Sequence, residues 1–276
     1  MKRNKLWVGI SAAALAGMTG LTGCASGEGE GEHSYLAGSG HHGQSHSLGG
    51  EGEGEGEGEN EGEGVAKVNF LKDDVAYLTQ LGLMRGHLLV GYQLFKDGHI
   101  EHAKTHMKHP KSELYSDVAS AFEARNVAGF ADQLSALSSA VEQEQASEVV
   151  DTAYAELLNA ISVSEAAVDS STLTPGVQLQ RVVALLRVAG EEYAIAVVDG
   201  EMKNAHEYQD ALGFTTVAAE IIDSISGADA VQAKAQDIVE SLKPLWPNLV
   251  PPATLTTEAG QLFGAAAKIE LLALSL

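Results

Sequence analysis

DDVAYLTQLGLMRGHLLVGYQLFKDGHIEHAKTHMKHP, Asp73 to Pro110, decides the fold. Leu78, Leu81, Leu88, Leu89, Tyr92 and Phe95 recur at three- and four-residue steps, the period of a helix with one buried side, and no strand alternation competes with it. Asp97-Gly98 breaks that helix, which runs from near Asp73 to Lys96. A second helix follows and must stop by His109, because the residue ahead of Pro110 is pushed out of the α region. The segment is therefore a helical hairpin.

The same pattern continues outward. From Val65 onward the chain is rich in Ala, Leu, Val and Ser, with helical stretches expected at about 111–125, 128–143, 146–168, 176–198, 201–225, 228–245 and 254–274. Breaks fall at Asn126, Thr174-Pro175, Asp199-Gly200, Gly227 and the proline cluster from Pro244 to Pro252. No run reads as an alternating strand. The last stretch, LFGAAAKIELLALSL, is too short to span a bilayer and reads as a core helix. The expected fold is all-α, an up-and-down helical bundle over 65–276, as one bundle or as two packed halves, 65–170 and 171–276.

A faint internal repeat supports the two halves. Superposing Asp97-Gly98 on Asp199-Gly200 also aligns Leu83 with Leu185, Arg85 with Arg187 and Ala103 with Ala205, each copy being helix, Asp-Gly turn, helix. The histidines do not repeat: His99, His102 and His106 face Glu201, Asn204 and Tyr208.

The N-terminal 64 residues have another character. Lys2, Arg3 and Lys5 precede an apolar run from Leu6 to Leu21 and then Leu21-Thr22-Gly23-Cys24, the order of a secretory signal over residues 1–23. LTGC resembles the lipobox of bacterial lipoproteins, which implies a lipidated Cys24 at the mature N-terminus. With Ala25 and Ser26 after it, the resemblance favours an outer-membrane lipoprotein facing the periplasm, with the membrane reached through the lipid anchor. Cys24 is the only cysteine, so no disulfide, zinc thiolate or second thiol is available. Residues 24–64, with GEGEGE at 27–32 and EGEGEGEGENEGEG at 51–64, have too little apolar surface to fold and read as a disordered linker. His33, His41, His42 and His46 lie in it, giving either a weak cation attractor or a solvated spacer. The formal charge of −21 argues against nucleic acid as a partner.

Chemistry gathers on the histidines. The chain has ten, and His87, His99, His102, His106 and His109 all fall within 23 residues. On an ideal helix His99, His102, His106 and His109 share an arc of about 80°, so neighbours three or four apart can present imidazoles to one ion. The Asp-Gly turn folds His87 back toward His106 and His109, while Glu113 and Glu101 could add carboxylate oxygen. Such a nitrogen and oxygen donor set suits iron, zinc or copper. A solvated polar face is the competing reading. Met84 and Met107 fall in apolar stripes and read as core.

A second candidate is GEEYAIAVVDGEMKNAHEYQDALGF, Gly190 to Phe214. Its Glu192-Tyr193, Asp199-Gly200, Glu207-Tyr208 and Asp210 resemble a pattern in helical periplasmic domains of bacterial iron-uptake proteins, those joined to or accompanying the iron-permease family. It departs from the permeases in having no transmembrane REXXE-type segment. The resemblance implies Glu192, His206, Glu207 and Asp210 as iron-side ligands; the alternative is that they cap and solvate the Asp-Gly hairpin over Tyr193 and Tyr208.

No glycine-rich phosphate loop, Gly-x-Ser-x-Gly elbow, HExxH pattern or paired Glu-x-x-His appears, so no enzyme is expected. The reading that follows is a lipid-anchored, periplasmic transition-metal binder that buffers iron or zinc, with copper next, or hands it to an uptake transporter or receptor. A metal-free helical scaffold of paired, tetratricopeptide-like helices is the competing class.

Overall fold

The computed structural model describes residues 68–276; the signal, Cys24 and the linker through residue 64 lie outside the described residues, as does the side chain of Glu113. The described chain is all-α with one two-residue ribbon. Its helices are α1 (Asp74–Lys96), α2 (Ile100–His109), α3 (Tyr115–Ala124), α4 (Ala131–Glu142), α5 (Ser147–Glu165), α6 (Pro175–Ala196), α7 (Ala205–Ser224), α8 (Asp229–Glu240) and α9 (Gly260–Ala273). Among the described residues no helix is long and apolar enough to cross a membrane.

Helix starts follow local chemistry. The side chains of Asp73, Thr174 and Asn204 accept hydrogen bonds from the backbone N–H groups of Ala76, Val177 and His206, so three first turns are capped from within the sequence. Pro175 at the first position of α6 gives up an N–H that the helix would leave unpaired anyway.

The helices close into two circuits. α1, α2, α4 and α5 each pack on the next, with α5 returning to α1; α6, α7, α8 and α9 do the same, with α9 returning to α6. The circuits share a wall in which α1 packs on α7 and α6, and α2 also touches α7. The two stretches aligned by the faint repeat, α1/α2 and α6/α7, are the helices that meet in that wall. Arg85 of α1 pairs with Glu220 of α7 at 2.8 Å across the shared wall and also reaches Glu165 of α5 at 3.5 Å, whereas its repeat partner Arg187 of α6 pairs with Glu270 of α9 at 2.8 Å.

Four expectations change. α1 is not buried on one side alone: Leu81, Gly82, Leu83, Met84, Gly86, His87, Leu88, Val90 and Gly91 are all buried, while Leu89, Tyr92 and Phe95 are only partly so, because a wall between two circuits has neighbours all round. The second α-helix ends at His109 as expected, but not because the chain leaves the α region there, since His109 keeps helical angles (φ −54°, ψ −48°). The chain passes through Pro110 in one wider turn, Pro110–Leu114, and enters α3; the Tyr115 N–H reaches back five residues to the Pro110 carbonyl. Asp199-Gly200 is not a helix break only. With φ of 53° and 77° these residues form a hairpin turn between β1 (Val197–Val198) and β2 (Glu201–Met202), and Met202 and Leu255 bond across to Ala253 and Gly200. Consequently α7 starts at Ala205 rather than 201, and α9 only at Gly260.

Candidate metal centre

The site forms where the two circuits meet, and small residues make it. A Cβ on Gly86 would lie 2.5 Å from Phe214 Cδ1, and one on Gly91 would lie 2.9 Å from His106 Cβ. α1 therefore approaches both α7 and α2 more closely than side chains would permit, and His87 faces residues from each.

Asp210 is the centre, 1 % exposed on α7. Its Oδ1 lies 2.5 Å from His87 Nδ1 and 3.0 Å from His106 Nδ1, and its Oδ2 lies 3.2 Å from His206 Nδ1. His206 Nδ1 is also 3.8 Å from Glu207 Oε2. The rings of His106 and His206 stack at 4.1 Å with 16° between planes; His109 lies 4.4 Å from His206 and 6.1 Å from His87. Phe214 seals the other side of His87, edge to face at 5.0 Å. Two triads, His87/His106/Asp210 and His206/Glu207/Asp210, each place their ligand atoms within 4.8 Å of one another.

Hydrogen bonding decides which nitrogen of His106 carries its proton. Gln209 Nε2 donates to the Leu249 carbonyl (3.2 Å), which turns Gln209 Oε1 toward His106 Nε2 at 2.9 Å. That amide oxygen can only accept, so His106 Nε2 is the donor. Its Nδ1 lies 3.0 Å from Asp210 Oδ1. Burial pushes the His106 imidazole below its ordinary pKa, against the opposing pull of Asp210, so a second proton is disfavoured. Burial pushes the Asp210 carboxyl up, but His87 and His106 outweigh it and hold it well below the usual carboxylate range. His87 Nδ1, His106 Nδ1 and Asp210 Oδ1 thus meet in a dry space, two imidazole nitrogens and a carboxylate oxygen close enough to serve one cation.

The carboxylates beyond Asp210 are also perturbed. Burial, a hydrogen bond with Glu207 and the charge of that neighbour push the Glu192 carboxyl up to about 9. His206 beside it holds Glu207 below its ordinary value. Asn204 Nδ2 donates to Glu207 Oε1 at 3.3 Å while its own oxygen caps α7, so Glu207 takes part in the capping of that helix as well.

The structure brings together residues that the sequence offered as two separate candidates: His87, His106 and His109 from α1/α2, and Glu192, His206, Glu207 and Asp210 from α6/α7. His99 is exposed at the N-cap of α2, outside the helix proper, and among the described residues neither it nor His102 makes a ring contact with the cluster. The four-histidine stripe is thus split. Glu101 pairs with Lys104 at 3.0 Å instead of facing the site. Met84 and Met107 are buried in the core. Gln209 was not legible beforehand; its only signal is a polar residue next to Asp210 at a helix position that turns out fully buried. The Trp246–Leu249 stretch that Gln209 leans on is tied down by Trp246 Nε1 donating to the Tyr208 carbonyl and by Tyr208 Oη donating to that of Asn248.

Residues 168–273 match the family model of the iron permease-associated 4-helix bundle domain. The matched segment coincides with the second circuit, α6 to α9, and supplies Glu192, His206, Glu207 and Asp210. His87, His106 and His109 come from outside it. No curated protein and no solved structure matches the chain.

Proposed function

We propose that this protein binds a transition-metal ion between its two helical circuits, iron(II) first and zinc next, as a carrier or buffer associated with iron uptake and not as an enzyme. The observation that carries the reading is the convergence of His87 Nδ1 and His106 Nδ1 on Asp210 Oδ1 in a buried space, with His106 held by the Leu249–Gln209 relay. His87, His106 and Asp210 supply two imidazoles and one carboxylate, a donor set that suits iron(II), and the further carboxylates favour a hard ion over copper(I). The matched domain supports iron as the cargo and an uptake transporter as the partner. The signal and LTGC motif support a lipid tether at Cys24 in the outer membrane, facing the periplasm.

Elemental analysis of the chain purified without a polyhistidine tag, after anaerobic loading with iron(II) and desalting, tests this. Stoichiometric metal that vanishes in His106→Ala and Asp210→Asn supports it; metal retained by both variants, or none in the parent, overturns it. A metal-free scaffold would show no metal-dependent rise in Tm.

A further inference from the structure

We propose that the centre takes two cations, with Asp210 bridging them, one ion held by His87 and His106 and the other by His206 and Glu207. This rests on the metal-binding reading above. The two oxygens of Asp210 face different partners: Oδ1 has Nδ1 of both His87 and His106, and Oδ2 has Nδ1 of His206. The ligand atoms fall into two groups, His87/His106/Asp210 and His206/Glu207/Asp210, each within 4.8 Å, and among the described residues no single group takes in both.

The spacing suits a pair. In carboxylate-bridged two-metal sites the ions stand about 3.5–4 Å apart. The rings of His106 and His206 lie nearly parallel, 4.1 Å between centroids, and set their Nδ1 atoms against different oxygens of the one carboxylate, as a bridge requires. An ion with metal–ligand bonds of about 2.0–2.2 Å keeps its donors roughly 3.3–3.6 Å apart. Entry therefore opens the contacts of 2.5 and 3.0 Å at Oδ1 by about 1 Å or less, and those of 3.2 and 3.8 Å on the other side barely change.

Charge points the same way. Asp210, Glu207 and Glu192 have one another, Glu191 and the imidazoles as their strongest electrostatic neighbours. A single divalent ion at Oδ1 leaves the Glu207 carboxylate without a metal ion, whereas a second ion at Oδ2 sits beside it. Glu207 Oε1 is engaged by Asn204, which leaves Oε2 toward His206 for that ion.

The test is a zinc(II) titration of the full chain by calorimetry, with elemental analysis after desalting, in a background where His33, His41, His42 and His46 are replaced by alanine. We expect two zinc ions per chain. Glu207→Gln and His87→Ala should each weaken one of them at least tenfold and leave the other, and Asp210→Asn should weaken both. Melting curves in chelator show which variants are folded; His206→Gln replaces Glu207→Gln if loss of the helix cap prevents folding. One ion per chain in the background protein overturns the bridged pair and leaves the single-ion reading standing; two ions that neither single variant changes overturn the bridged pair and the His87 site with it. No ion overturns both.

Discussion

The backbones of Gly86 and Gly213 touch: a Cβ built on Gly213 would fall 2.3 Å from the carbonyl oxygen of Gly86. This contact joins the two circuits three residues from Asp210, beside His87. Gly213→Ala should push α1 off α7, costing about 1–3 kcal/mol and lowering Tm by roughly 3–10 °C. Metal affinity should fall with it, because His87 moves with α1. Thermal melts and metal titration of the same variant check both.

Gln209 tests whether the site depends on a residue that need not touch metal. Gln209→Met keeps the volume but removes both the acceptor for His106 Nε2–H and the donor to Leu249. Loss of such a supporting hydrogen bond should reduce metal affinity by about 10–100-fold. Calorimetry measures it, with far-UV circular dichroism showing the helices unchanged.

Glu192 predicts how the metal-free protein responds to pH. Its carboxyl keeps a proton in the folded state up to about 9, while the unfolded chain releases it in the ordinary carboxylate range. Between those limits the folded state binds more protons, so this group's contribution falls as pH rises and is fully lost above the folded value. Glu192→Gln should flatten the decline in Tm across that window. An identical slope in chelator would show that the carboxyl is not so perturbed.

The two Asp-Gly turns should respond unequally to alanine. Gly98 (φ 82°) and Gly200 (φ 77°) both take the left-handed conformation, which costs an alanine about 1–2 kcal/mol. A Cβ at Gly98 has nothing within 4 Å, whereas at Gly200 it lies 3.1 Å from the Leu255 carbonyl oxygen, in the bridge that holds the hairpin to the chain ahead of α9. Chemical denaturation should therefore rank Gly200→Ala as the more destabilising.

Helix periodicity, capping residues and Gly or Pro breaks are local, so the sequence by itself determined that this protein is helical and where most of its turns fall. It also marked each imidazole and carboxylate, because metal-ligating residue types are few and unevenly spread. What it could not determine is which of them meet. His99 and His102 share a stripe with His106 on a helical wheel, yet the rotation of α2 about its axis, set by Gly91 against His106 and Met107, turns only part of that stripe inward. The union of the two candidate clusters around Asp210 depends on α1 lying against α7, a contact between residues more than one hundred positions apart that no local period encodes. Only the tertiary structure decided that, through close packing at two glycines and the burial of α7 on nearly every side.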